Sequence, residues 1–116
     1  MAVSPEEVAS RIRTEARSQR TGAEARATLL RGKLEAAAEI LRAAGAERSW
    51  LFGSLAAGVP RPESDVDLAV SGMPSAGYFE ALATLMALFG TRVDLVRLED
   101  APDSLRNHVL VSGREL

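Results

Sequence analysis

Cysteine is absent from the 116 residues. That excludes disulfides and thiolate metal sites, and it fits a reducing cytoplasm. Histidine occurs once, at His108. No apolar run approaches the ~20 residues needed to span a bilayer. At the N-terminus, Glu6, Glu7, Arg11 and Arg13 interrupt anything resembling the apolar core of a signal peptide. These absences predict a cytoplasmic protein with no membrane partner. What is present is ordinary for a globular chain, 47% hydrophobic and 26% charged residues. The length suits one domain with one core and is short for two.

Charge is unevenly spread over the net of -2. Residues 11–33 hold seven basic side chains (Arg11, Arg13, Arg17, Arg20, Arg26, Arg31 and Lys33) against Glu15 and Glu24. Residues 34–116 hold seven basic against twelve acidic side chains. A basic arm on an acidic body suggests a partner surface or a nucleic-acid contact, with a solvated helix face as the plainer reading.

"SPEEV" reads as a helix start, with Ser4 as cap, Pro5 in the first position and Glu7 closing a capping box. Its apolar stripe fades after Ile12, which predicts an exposed helix to about Gln19 and a break at Thr21-Gly22. A stronger helix follows, with Leu30, Leu34, Ala37, Leu41 and Ala44 on one face and Gly45 at its end. "RSWLF" predicts a buried strand closed by Gly53. "GVPRPES" is a loop, because two prolines and a glycine forbid regular structure. In "DVDLAV", Val66, Leu68 and Val70 alternate with Asp65, Asp67 and Ala69, the pattern of a strand with one apolar side. A helix spans Tyr78 to Phe89 and stops at Gly90, and "TRVDLVRL" is a third strand. A last helix, "LRNHVLV", ends at Gly113, with Asp100 and Asp103 before it as turn and N-cap residues. The order predicts an α/β (α+β) domain with a small mixed three-stranded sheet and helices packed on one face.

Carboxylates two apart on a strand point the same way, about 6–7 Å apart. They repel one another and require a counter-ion. Asp94 has the same parity on the third strand. If strands 65–70 and 92–97 pair, three carboxylates converge on one face. An all-oxygen cluster suits hard cations, Mg²⁺ above all, and Mg²⁺ recruits phosphate oxygens to complete its octahedron. Gly53 and Ser54 end another strand and open a helical turn, whose unpaired backbone N–H groups make a phosphate cradle.

Gly53-Ser54, ten intervening residues, Asp65-x-Asp67 and a later Asp94 resemble the pattern of the minimal nucleotidyltransferases, small members of the DNA polymerase beta-like superfamily. The resemblance covers about Leu30 to Leu116. It implies a palm-like fold over residues 23–116, with residues 1–22 a basic helical extension. It also implies ATP as substrate and two Mg²⁺ ions held by Asp65, Asp67 and Asp94, with Gly53 and Ser54 binding the triphosphate. Stand-alone bacterial members act as antitoxins beside a HEPN-domain toxin, in characterised cases by adding AMP to one of its tyrosines. Where members often carry an arginine after Gly-Ser, this chain has Ala57, so contacts from that loop would be weaker or supplied by Arg61.

Two other functions fit the same residues. One is a non-catalytic antitoxin with a vestigial site, and the other transfers a nucleotide to a small molecule such as an aminoglycoside, for which the chain leaves no substrate domain. Direct nucleic-acid binding is not expected, and the basic arm could instead meet a second copy of the chain in a homo-oligomer. His108 reads as a partly exposed helical residue, Trp50 and Phe52 as packing groups, Tyr78 as a loop-to-helix anchor and Glu63 as a solvated loop residue.

Overall fold

A computed structural model describes residues 22–58 and 66–116. The capped helix expected from Ser4, and Arg61, Glu63 and Asp65, lie outside the described residues. The described residues open on a helical stretch over residues 22–31, here α1, followed by a two-residue turn and α2 (Leu34–Ala43). Then come β1 (Arg48–Phe52), a single helical turn α3 (Gly53–Ala57) and β2 (Val66–Ser71). A short 3-10 turn (Ser75–Gly77) leads into α4 (Tyr78–Phe89) and β3 (Val93–Arg97). A second 3-10 turn (Leu98–Asp100), α5 (Asp103–Ser112) and the two-residue β4 (Arg114–Glu115) complete the fold.

The sheet has four strands in the order β3-β2-β1-β4, one more than the sequence pattern indicates. The added strand is too short to show any alternation. Pairing with Trp50 and Leu51 forms it, and the Arg48–Glu115 ion pair at 2.6 Å fastens it. β1 runs antiparallel to β2 and to β4, while β2 and β3 are parallel. A parallel pair cannot be closed by a tight turn and needs a crossover, which α4 supplies.

Helices cover both faces of the sheet, not one. On the first face Leu51, Val66, Leu68, Val70, Val93 and Leu95 pack with Leu30, Leu34, Leu41, Ala81, Leu85 and Phe89 of α1, α2 and α4. On the second, Trp50 and Ala69 pack with Leu98 and with Val109 of α5. The apolar stripe expected from Leu30 to Ala44 is buried through Leu41 and half-buried at Ala44. The helix carrying it is nevertheless split. Gly32 N–H still reaches the Thr28 carbonyl at 3.0 Å, but Lys33 N–H bonds Leu30 at 3.1 Å, a tighter turn that separates α1 from α2. Gly22, expected to break the helix, is itself helical. Among later elements, α4 has the expected bounds and ends on Gly90 at φ +65°. Asp103 is no N-cap: Pro102 occupies that position, and Asp103 pairs with Arg106 inside the first turn. Tyr78 does anchor its helix, donating its hydroxyl proton to the Leu95 carbonyl at 2.5 Å. No helix among the described residues is long and apolar enough to cross a membrane.

A charged contact links the ends of β2 and β3. The Gly72 N–H donates to Glu99 Oε1 at 2.5 Å, and chiefly for that reason the Glu99 carboxyl titrates below its ordinary value of 4.5. Its stabilisation is complete above that ordinary value and disappears as pH falls through the lower folded value. Because the group is exposed, its worth is a few tenths to about 1 kcal/mol. Glu99→Gln is expected to lower the melting temperature at pH 7 by up to about 5 °C. The gap from the unaltered chain should close in melting curves recorded below the folded-state titration of Glu99, and a gap that persists there would assign the loss to packing.

Candidate active site

Three strand ends meet at one edge of the second sheet face. The antiparallel register sets Phe52 opposite Asp67, and the parallel register sets Asp67 opposite Asp94. Register partners project to the same side of a sheet, so Phe52, Asp67 and Asp94 form a row across three strands. Adjacent strands are separated by about 4.8 Å, which makes the two carboxylates close neighbours. Asp67 is half-buried and Asp94 exposed. Both open onto a cleft of about 360 Å³ that Phe52, Tyr78, Leu82 and Leu105 also line.

The alternation in each strand explains this placement. Val66 and Leu68 must enter the first core, which turns Asp67 to the opposite face. Val93 and Leu95 do the same for Asp94. Burial of four aliphatic side chains therefore orients both acids.

β1 ends at Phe52, and the next residue, Gly53, adopts φ +73° and begins α3. A side chain here would be doubly excluded. The conformation disfavours L-residues, and a Cβ would fall onto the Asp67 carboxylate, overlapping Oδ2 and reaching 2.9 Å from Cγ. Glycine thus lets the backbone of the turn approach the carboxylate directly. Ser54 follows in the first turn of α3, half-buried. At the other end of α3, Gly58 closes the turn at φ +74°, and Arg31 Nη2 donates to the Leu55 carbonyl at 3.1 Å.

Of the expected site residues, Gly53, Ser54, Asp67 and Asp94 come together at these strand ends, while Asp65 lies outside the described residues. No group of three metal-binding side chains occurs among the described residues. The pair that is described fits a hard divalent cation in its chemistry, with oxygen donors only and two like charges in adjacent strands. Because Gly53 lets the start of α3 lie against the Asp67 carboxylate, a phosphate at this turn would sit beside the acid pair, where a cation would have to bridge the two. Ala57 is exposed at the end of α3 and supplies no cation. His108 is exposed on α5, and Trp50 is buried beneath the Arg48 guanidinium, 4.7 Å from its ring centre. The contact of Arg31 has no counterpart in the sequence reading, because an arginine bonded to a neutral carbonyl leaves no charge pattern to find.

The polymerase beta nucleotidyltransferase family model matches residues 35–116. No curated protein matches the chain in sequence. Among solved structures, a minimal nucleotidyltransferase is 33% identical, with a TM-score of 0.69, 78% of this chain and 95% of that chain being covered. A toxin–antitoxin crystal structure with AMP-PNP contains a chain 28% identical, at a TM-score of 0.60. That match covers 66% of this chain and 66% of the other. A tri-AMPylated HEPN toxin of Shewanella oneidensis in complex with an MNT antitoxin is similar in fold, at 24% identity and a TM-score of 0.56, covering 77% of this chain and 70% of that one. With the glycine turn, the aspartate row and a family match across most of its length, the chain belongs to the polymerase beta nucleotidyltransferase family.

Proposed function

We propose that this chain is a Mg²⁺-dependent nucleotidyltransferase that moves AMP from ATP to a hydroxyl of a partner protein. The partner is a HEPN-type toxin, which the chain restrains as a cytoplasmic antitoxin. The observation that carries the reading is the Gly53 backbone lying against the Asp67 carboxylate, with Asp94 beside it in register. That contact sets the first turn of α3 directly beside the two carboxylates. The AMP-PNP in the similar toxin–antitoxin structure supports a nucleoside triphosphate as the substrate and a toxin as the partner.

In this reading the α3 turn, through the backbone N–H groups after Gly53 and the Ser54 hydroxyl, holds the β- and γ-phosphates. Asp65, Asp67 and Asp94 would hold two Mg²⁺ ions, which when bound neutralise phosphate charge and lower the pKa of the attacking hydroxyl. A bond forms between the acceptor oxygen and the α-phosphorus as the bond to the bridging oxygen breaks, and pyrophosphate leaves towards the α3 turn. Asp94, exposed on the edge strand, takes the acceptor proton.

Asp94→Asn preserves size while removing charge and basicity. It is expected to retain most of the nucleotide affinity and to slow AMP transfer by a factor on the order of a hundred or more, as for a lost general base. Intact mass of the co-expressed partner checks this, each transferred AMP appearing as one discrete increment. Transfer at the unaltered rate would remove Asp94 from the chemistry. Complete absence of modification by the unaltered chain, with the toxin still neutralised, would favour an antitoxin that acts by occlusion.

Gly53→Ala tests the other half of the site. The added methyl must displace the Asp67 carboxylate or the turn, so Mg²⁺-dependent ATP binding should fall at least about tenfold, the equivalent of 1.4 kcal/mol. Calorimetry with millimolar Mg²⁺ measures it. Unchanged affinity in a folded variant would mean that the triphosphate does not use this turn.

A further inference from the structure

Helix α1 lies outside the residues that the family model matches, 35–116, yet it reaches both flanks of the candidate site. Ala23, Ala27 and Leu30 are buried on one side of it. Two of these are alanines, which lets the helix axis sit close to the body. From the same helix, Arg31 donates to the Leu55 carbonyl of α3 at 3.1 Å, 24 residues away in sequence. Arg26 donates through Nη2 to the Thr91 hydroxyl at 2.8 Å, 65 residues away and three residues before Asp94. Both arginines are half-buried. Two of the cations in the basic arm are therefore engaged inside the molecule, each with at least one neutral acceptor.

We propose that α1 is a strap that positions the nucleotide site, with Arg31 holding the Gly53–Ala57 turn and Arg26 holding the segment that leads into Asp94. The chemistry suits each contact. A five-residue helix has carbonyls that its own turns do not satisfy, and a guanidinium at its C-terminal end both bonds one of them and complements the dipole. The Thr91 hydroxyl lies in the connection between α4 and β3, where Arg92 in turn accepts the Val66 N–H at 3.2 Å. Fixing Thr91 thereby fixes the level at which β3 meets β2, and with it the distance between Asp94 and Asp67. Arg26 and Arg31 act here through the Thr91 hydroxyl and the Leu55 carbonyl of the segments that carry the site, which makes them positioning residues rather than catalytic ones.

The functional consequence rests on the nucleotidyltransferase reading, whereas the mechanical claim does not. The test therefore has two arms on the full chain. In the first, amide hydrogen exchange is compared for Arg31→Met, Arg26→Met and Thr91→Val, each of which keeps an apolar stem or shape. Arg31→Met should accelerate exchange over residues 54–58 at least tenfold while β1 and β2 are unchanged. Arg26→Met and Thr91→Val should each accelerate exchange over residues 91–96, and the double variant should be no faster than either. Unchanged exchange in those segments, or uniform acceleration including β1 and β2, would overturn the strap.

The second arm measures transfer. Arg31→Met should raise KM for ATP about five- to tenfold with little change in kcat, and Arg31→Lys should recover part of the loss. A fall in kcat with unchanged KM would overturn the assignment of Arg31 to the nucleotide turn. Lack of ATP binding by the unaltered chain would instead overturn the nucleotidyltransferase reading and leave the exchange results to decide the strap.

Discussion

The parallel pairing of β2 with β3 is the constraint on which the site depends. It alone brings Asp67 of one strand beside Asp94 of the other, across 26 intervening residues. Parallel neighbours are joined only by a crossover, and α4 makes it. Ala81, Leu85 and Phe89 of α4 enter the first core, and the Tyr78 hydroxyl ties the start of the helix to Leu95, the residue after Asp94. Each fully buried aliphatic side chain contributes about 1.5–3 kcal/mol. The aspartates contribute nothing comparable, since two adjacent carboxylates repel. The apolar face of the sheet thus holds in place a face on which two carboxylates lie side by side in register.

The same division of labour recurs at β1. Leu51 is committed to the first core and Trp50 to the second, so the strand is fixed from both sides up to Phe52. The chain then has to leave the sheet beside Asp67. Only glycine accommodates both the positive φ and the proximity of the carboxylate, and the helical turn begins at once. A rigid strand, an abrupt turn and an adjacent acid form one unit. Leu55 anchors the turn in the first core, while Gly53, Ser54 and Asp67 remain half-buried at the strand ends.

Much of this was legible in the residues. Val66, Leu68 and Val70 alternate with polar neighbours strongly enough to define β2 and its faces, and the apolar spacing from Tyr78 to Phe89 marks α4 with both its bounds. Pairing was not legible, because the register between β2 and β3 is set by the packing of α4 rather than by either strand alone. That α5 covers a second face was not legible, because only Leu105 and Val109 of its apolar residues pack there and the neighbouring apolar residues blur the stripe. Val109 is buried while Leu110 and Val111 are exposed. The break at Gly32 was hidden because Leu30 and Leu34 remain on one buried face across it. The bonds of Arg26 to the Thr91 hydroxyl and of Arg31 to the Leu55 carbonyl involve neutral acceptors, which a charge pattern does not reveal.

Family membership and the geometry of Gly53, Asp67 and Asp94 converge on one central claim, that the three strand ends form a single metal and triphosphate site. Anomalous scattering from crystals grown with Mn²⁺ and a non-hydrolysable ATP analogue tests it most directly. The account predicts a manganese peak bonded to oxygens of both Asp67 and Asp94, at about the 2.0–2.2 Å expected of a small hard cation. The triphosphate should lie over the α3 turn next to Ser54. Manganese bound away from both aspartates, or a triphosphate held elsewhere on the molecule, would contradict the account.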